Sequence, residues 1–343
     1  MGLDMLTMTD DMTRRTKGRS VVLSISGGKD SAAMALWLRD LGIECQLVFM
    51  DTGWEHQVTY DYLRGPLTAK LGAIKEIRAI VEFSSEQSRL VEQVIADLPL
   101  VSRAFKAGSP MVRMALKKGM FPAGKKRWCT EYLKEEPIKR FLEPLIEAGA
   151  DVVNAVGIRA AESEQRATYT EWVELKWARK AGRKLLLHYD CEMWRPILRW
   201  TISDVIAIHE RHGLRPNPLY LLPGIERVGC GPCIRSRKAE IRATADHMPE
   251  SIAILRELEV AVGRLAAYRL GNSKIKNPIL RAPAFFQAPM GDNGACWPID
   301  EVVAWSRTSR GGRQFELFAP TENEGCMRWG LCEGAPAPQD EIQ

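Results

Sequence analysis

"VVLSISGGKDSAAMALWL", residues 21–38, decides the fold. Val21, Val22 and Leu23 read as a buried strand, and Ala32 to Leu41 carry apolar residues at helical spacing, so Ser26–Ser31 join strand to helix. Gly27 and Gly28 allow backbone conformations closed to other residues, and consecutive N–H groups there can turn toward an anion. The helix N-terminus adds its dipole and Lys29 a mobile cation. The stretch therefore reads as a phosphate loop, with Ser26, Gly27, Gly28, Lys29, Asp30 and Ser31 as nucleotide-binding candidates. Its spacing is neither G-x-x-x-x-G-K-[ST] nor G-x-G-x-x-G.

Outward from this loop, strand-like runs recur at Ser20–Ile25, Cys45–Met50, Ile74–Ile80, Asp151–Val156 and Leu185–Tyr189. Helical patterns at Gln57–Leu71, Gln87–Leu98 and Tyr132–Leu145 separate the first four. Strands alternating with helices predict an α/β fold, a doubly wound and mostly parallel sheet covered on both faces, with the ligand at the carboxyl ends of the strands. "SGGKDS" and "MDTGWEH" both fall there. After about residue 190 prolines multiply and the pattern turns to helices and loops. The expected organisation is an N-terminal extension over 1–19, a nucleotide-binding α/β domain over 20–220, an irregular helical, cysteine-bearing region over 221–332, and a disordered tail over 333–343.

The 343 residues carry a formal net charge of +5, with 45% hydrophobic and 27% charged residues, as in an ordinary globular enzyme. No apolar run is long enough to span a bilayer and no signal peptide is apparent, which predicts a cytoplasmic protein without a membrane partner. Charge is uneven: residues 101–127 hold Arg103, Lys106, Arg113, Lys117, Lys118, Lys125, Lys126 and Arg127 without Asp or Glu, with Phe105, Phe121 and Trp128 among or beside them. This basic insertion reads either as a nucleic-acid contact or as a solvated loop. In a reducing compartment the eight cysteines point to thiols, metal ligands or redox groups rather than disulfides.

The strand-SGGKDS-helix signature resembles the PP-loop of the ATP pyrophosphatase superfamily. "VFMDTGWEH", "GIRAAESEQR" at 157–166, "RPILRWTISDVIAIHERHGLRPNPLY" and "VGCGPC" extend the resemblance to the phosphoadenosine phosphosulfate (PAPS) reductase family in its broad sense. That resemblance implies the adenine nucleotide alpha hydrolase-like fold and the cleavage of ATP to AMP and pyrophosphate. It assigns Lys29 and Asp30 to catalysis, Asp51 to Mg²⁺ or nucleotide orientation, and Gly157, Arg159 and Arg166 to the phosphates. A surface cluster of Arg159 and Arg166 with Glu162 and Glu164 is the plainer reading of the last two.

Cys129 in "KRWCTEYLKEEP" and Cys230 and Cys233 in "VGCGPC" resemble the iron–sulfur, DNA-phosphorothioation-like members of the family and imply a cluster, 4Fe-4S, or else a zinc site. Trp128 stands where adenylylsulfate reductases have a second cysteine, so a fourth ligand is missing unless Cys326 or Cys332 supplies it. Cys45 reads as core. The implied chemistry is adenylation of an acceptor followed by sulfur transfer onto nucleic acid, DNA before tRNA, from a donor such as a cysteine desulfurase. Two alternatives stand beside it. One is a sulfonucleotide reductase releasing sulfite with Cys326 or Cys332 as nucleophile; the other is a non-catalytic nucleotide-binding regulator acting on DNA.

Overall fold

A computed structural model describes residues 3–124, 127–181, 185–271, 284–286 and 296–308. Cys326, Cys332, Lys125, Lys126 and the tail 333–343 lie outside the described residues. The chain forms two compact units whose borders differ from the expected one between residues 220 and 221. The first comprises 1–51, 57–79 and 132–217; the second comprises 52–56, 80–131 and 218–343. The basic segment 101–127 falls in the second unit, and the N-terminal helix Leu3–Thr16 in the first.

The first unit is built on six strands: β1 (Ser20–Ile25), β2 (Cys45–Asp51), β3 (Ile74–Arg78), β4 (Val152–Val156), β5 (Trp172–Ala181) and β6 (Leu185–Trp194), in the spatial order β3-β2-β1-β4-β6-β5. All neighbours run parallel except β5, which pairs antiparallel with β6 along its whole length. The expected parallel α/β sheet is present. Sequence reading missed β5 and ended β6 at Tyr189, because "WVELKWARKA" mixes charges with apolar residues and sits at the sheet edge, where only one flank needs a partner.

Alternation along the strands sorts the core. Val21, Leu23 and Ile25 face one side with Leu47, Phe49, Val153 and Ala155, under the helix Lys29–Asp40, which buries Ala32, Ala33, Met34, Leu36 and Leu38. Val22, Val48 and Val152 face the other side with Ile138 and Leu142 of the helix Glu136–Glu147. The run expected as one helix over 57–71 is interrupted by a π-helical turn at Leu63–Leu67, where Pro66 removes a backbone donor. The strand order reverses between β1 and β4, so the connections leaving their carboxyl ends diverge and leave a crevice beyond the paired strands.

The second unit is helical around the long helix Pro249–Gly271, whose Ile252, Leu255, Leu258, Val262 and Leu265 form a buried stripe. Two of its carboxylates terminate neighbouring helices. Glu257 accepts the N–H groups of Leu100 and Val101, at 2.8 and 3.0 Å, at the start of the helix Pro99–Lys106. Glu259 accepts from Ile299, the first residue of Ile299–Ser306, at 2.9 Å and from Phe285 at 2.8 Å; burial raises its pKa above the usual carboxylate value. Leu98, the residue before Pro99, provides no side-chain cap, so Glu257 does that work from a distance in sequence. Glu257→Ala should therefore destabilise the second unit by about 1 kcal/mol in urea unfolding, as for loss of a helix cap, and Glu257→Gln by less.

Candidate functional site

The loop between β1 and the helix Lys29–Asp40 is braced from within. Gly27 adopts φ +73°, and Gly28 is an extended N-cap with no side chain capping the helix. Ser26 N–H donates to Ser31 Oγ at 3.1 Å, Ser31 Oγ donates to the Gly28 carbonyl at 3.1 Å, and Gly28 N–H donates to Ser26 Oγ at 3.3 Å. The two serines of "SGGKDS" thus shape the loop, while the helix N-terminus keeps its dipole directed at the crevice. A Cβ on Gly27 would stand 2.8 Å from Thr59 Cγ2, so both the positive φ and the close approach require glycine.

Three further groups hold the loop from outside. Asn217, fully buried, donates from Nδ2 to the Gly27 carbonyl at 3.2 Å and to Thr59 Oγ1 at 3.3 Å. The buried imidazole of His209 bridges two carbonyls, its Nε2 2.9 Å from that of Lys29 and its Nδ1 2.9 Å from that of Leu214. Gly157, just beyond β4, lies against the first helical turn: a Cβ there would meet Ser31 Cα at 3.0 Å and Ser31 N at 3.1 Å. Sequence reading named Gly157 but gave no role to Asn217 or His209. His209 was findable, since it shares the buried face of Ile202–Arg211 with Val205 and Ile208.

Charge is concentrated beside the loop. Arg159 Nε donates to Asp30 at 2.5 Å, and Lys29 Nζ lies 3.5 Å from the same carboxylate, with all three side chains at least 86% buried. The group carries one more positive than negative charge in a poorly solvated place, which suits a polyanion. Arg166 instead pairs with Glu162, whose Oε2 also accepts the Arg159 backbone N–H, as the plainer sequence reading had it. Asp51 is wholly buried at the end of β2: Oδ1 accepts from the Tyr60 hydroxyl at 2.6 Å and Oδ2 from Arg78 Nε at 2.5 Å. Each of its oxygens thus accepts a hydrogen bond within the fold, which fixes the carboxylate at the end of β2.

The cysteine motif belongs to the second unit. Glu55 and Cys230 form an antiparallel bridge, Gly231 N–H donates to the Trp54 carbonyl at 2.8 Å, and Trp54 Nε1 donates to the Pro232 carbonyl at 3.0 Å. Arg235 N–H donates to Cys233 Sγ at 3.5 Å, and Cys129 follows buried Trp128 in the turn Trp128–Thr130. Among the described residues, no group of three or more His, Cys, Asp or Glu side chains is arranged to hold a metal ion. The described cysteines do not assemble the ligand set that a 4Fe-4S cluster or a zinc ion needs.

The basic segment is partly structural. Arg113 donates to the carbonyls of Val81 and Phe105 and lies over the rings of Phe83 and Phe105, and Lys117 donates to the Glu82 carbonyl, whereas Arg103, Lys106 and Arg127 are exposed. No helix among the described residues is long and apolar enough to cross a membrane.

A phosphate loop at the reversal of a parallel sheet, uncapped and flanked by Lys29 and Arg159, defines a nucleotide-binding α/β protein. The chain belongs to the family of the phosphoadenosine phosphosulfate reductase domain, whose model matches residues 20–236. It is 33% identical to an uncharacterised 37.8 kDa protein of Escherichia phage 186, over 91% of this chain and 96% of that protein. An uncharacterised protein of Methanocaldococcus jannaschii is 28% identical over 68% of this chain, which spans 40% of that relative's length. Among solved structures, PAPS reductase from Candida auris, a phosphate complex, is similar at 14% identity and a TM-score of 0.41, covering 65% of this chain and 87% of that one.

Burial pushes the Cys45 thiol up to about 12 and the Cys191 thiol up to about 11. Because the thiolate is the reactive form, iodoacetamide at pH 8 should leave these two unmodified in the native protein and label them only after denaturation, read by peptide mass spectrometry.

Proposed function

We propose that this protein binds ATP at Ser26–Ser31 and cleaves it between the α- and β-phosphates to adenylate an acceptor. An acceptor oxygen attacks the α-phosphorus, the bond to the bridging oxygen breaks, and pyrophosphate leaves with that electron pair. The observation that carries this reading is the intact Lys29 and Asp30 on an uncapped helix N-terminus, with Arg159 oriented by Asp30. The Lys29 ammonium, the Arg159 guanidinium and the helix dipole stabilise the charge that develops on the leaving group. Asp51, with Tyr60 and Arg78, acts as a positioning carboxylate that fixes the end of β2 beside the crevice. Gly157 lets β4 approach the loop closely enough for Arg159 to reach it.

The adenylated acceptor is then attacked by sulfur, and AMP departs with the former acceptor oxygen. The sulfur comes from a partner such as a cysteine desulfurase as a persulfide on Cys129, Cys230 or Cys233, whose outer sulfur makes that attack. A second of these thiols then attacks the inner sulfur, the S–S bond breaks with its electron pair going to the sulfur of the thiolated acceptor, and the disulfide left behind is reduced by an external dithiol. Nucleic acid is the proposed acceptor, DNA before tRNA, contacted through exposed Arg103, Lys106 and Arg127. The family's name favours a second reading, reduction of an adenylylated sulfate, which requires sulfite release with thioredoxin and no ATP cleavage.

Pyrophosphate release from ATP decides between them. Lys29→Ala should lower it roughly 10²–10³-fold, the cost of one transition-state donor, with the unfolding midpoint unchanged; undiminished release from Lys29→Ala overturns the assignment. In a second measurement, Arg103, Lys106 and Arg127 are replaced by Ala and DNA binding is followed against salt. The plot of log K against log salt should become shallower by about one for each cation that had neutralised a phosphate. An unchanged slope removes this segment from the nucleic-acid interface.

A further inference from the structure

Arg195 is the first residue after β6, on the same carboxyl edge of the sheet as the phosphate loop. Trp194 is in register with Ala155 of β4, and Ala155 with Leu23 of β1. Arg195 therefore stands two strands from β1, roughly 10 Å across the sheet.

The residue is 9% exposed, yet among the described residues no carboxylate pairs with its guanidinium. Nη1 donates to the Thr170 carbonyl at 2.7 Å, Nη2 points at the Met193 thioether at 3.3 Å, and Nε is buried with no acceptor. The guanidinium carbon lies 4.8 Å from the Tyr169 ring centroid. Glu192, three residues earlier, pairs with Arg15 and Arg19, and Glu171, whose main-chain carbonyl accepts the Arg195 N–H, has its carboxylate engaged by Trp194 Nε1. Arg19 and Arg179 make the contrast: each also has one buried N–H without an acceptor, but each guanidinium is neutralised by two carboxylates. A thioether is a weak acceptor, and a buried cation with an orphaned N–H is costly unless an anion joins it. Burial depresses the Arg195 pKa, which agrees with an environment lacking a counter-charge.

The segment over Arg195 is the one that reaches the phosphate loop. It leaves β4 at Gly157, places Arg159 on Asp30, and passes through Glu164–Ala167 to Tyr169 and Thr170. One crossing connection thus touches both the nucleotide loop and the orphaned guanidinium. ATP has its phosphates provided for at Ser26–Ser31, so a second cationic position along the same edge serves another molecule.

We infer that Arg195 is the recognition point for an oxyanion group, phosphate or sulfate, on the acceptor substrate, separate from the ATP phosphates. This inference rests on the ATP-binding reading of the loop. Its planar fork can grip two oxygens of a tetrahedral anion, replacing the thioether contact and satisfying Nε.

The probes are inorganic sulfate and inorganic phosphate, titrated at constant ionic strength into full-length protein saturated with α,β-methylene-ATP, with binding followed by calorimetry. Wild type should show one saturable anion site. Arg195→Met should weaken it about tenfold or more, the loss of charge-assisted hydrogen bonds, while nucleotide affinity stays within about twofold. Equal anion binding by wild type and variant, or no saturable site in wild type, overturns the inference. If Arg195→Met does not fold, Arg195→Lys keeps the charge without the fork, and weakened anion binding with unchanged nucleotide binding is again the expected result. Sulfate preferred over phosphate identifies a sulfate-bearing acceptor, and the reverse a phosphate-bearing one. Should α,β-methylene-ATP fail to bind, the loop reading falls, and the comparison of nucleotide-free wild type with Arg195→Met still decides the role of Arg195.

Discussion

The hydrogen bond from buried Asn217 to the Gly27 carbonyl is the constraint on which the site depends. A phosphate loop works by turning N–H groups outward, and that leaves carbonyls pointing inward, where an unpaired one costs as much as a lost hydrogen bond. Asn217 satisfies Gly27 and His209 satisfies Lys29 from one short stretch after β6. That stretch is part of the same unit as β1, so the sheet and the loop stand or fall together. The tightness at Gly27 and Gly157 follows: neighbours that hold the loop this closely leave no volume for a Cβ.

The electrostatics follow from the same enclosure. Lys29, Asp30 and Arg159 are each nearly buried, and in that setting Asp30 serves as the bridge that keeps two cations beside one helix N-terminus. Asp51 performs a similar service one strand away, with Tyr60 and Arg78 as its partners. Both carboxylates orient the cations beside them. Arg195 departs from the pattern, being a buried guanidinium with no carboxylate assigned to it, and this sets it apart from Arg159.

The helical unit applies another solution to the same difficulty of helix ends. Glu257 and Glu259, two residues apart on one long helix, supply acceptors to N–H groups of elements more than a hundred residues before and tens of residues after them. The cysteine loop is likewise tied by main-chain bonds, to Trp54 and Glu55, which gives Cys230 and Cys233 a defined frame whatever chemistry they serve.

The sequence by itself determined the parallel α/β sheet and the strand-loop-helix at Ser26–Ser31, because each is written locally: apolar runs, helical spacing and a glycine, Gly27, where φ turns positive. The motif that follows β4 also offered Gly157 and Arg159, which the fold brings against the loop. Asn217, His209 and Thr59 escaped, since what makes them part of the loop is contact across about 30 to 190 residues of chain, to which no spacing rule applies. Strand β5 escaped because an edge strand is defined by its partner more than by its own pattern. The division of labour among the arginines was in part decided in three dimensions: Glu162 lies one helical turn from Arg166 and that pair was legible in "GIRAAESEQR", whereas only folding gives Asp30 to Arg159 and, among the described residues, no carboxylate to Arg195. A charge acquires its role from what it is buried against, and burial is a property of the tertiary structure.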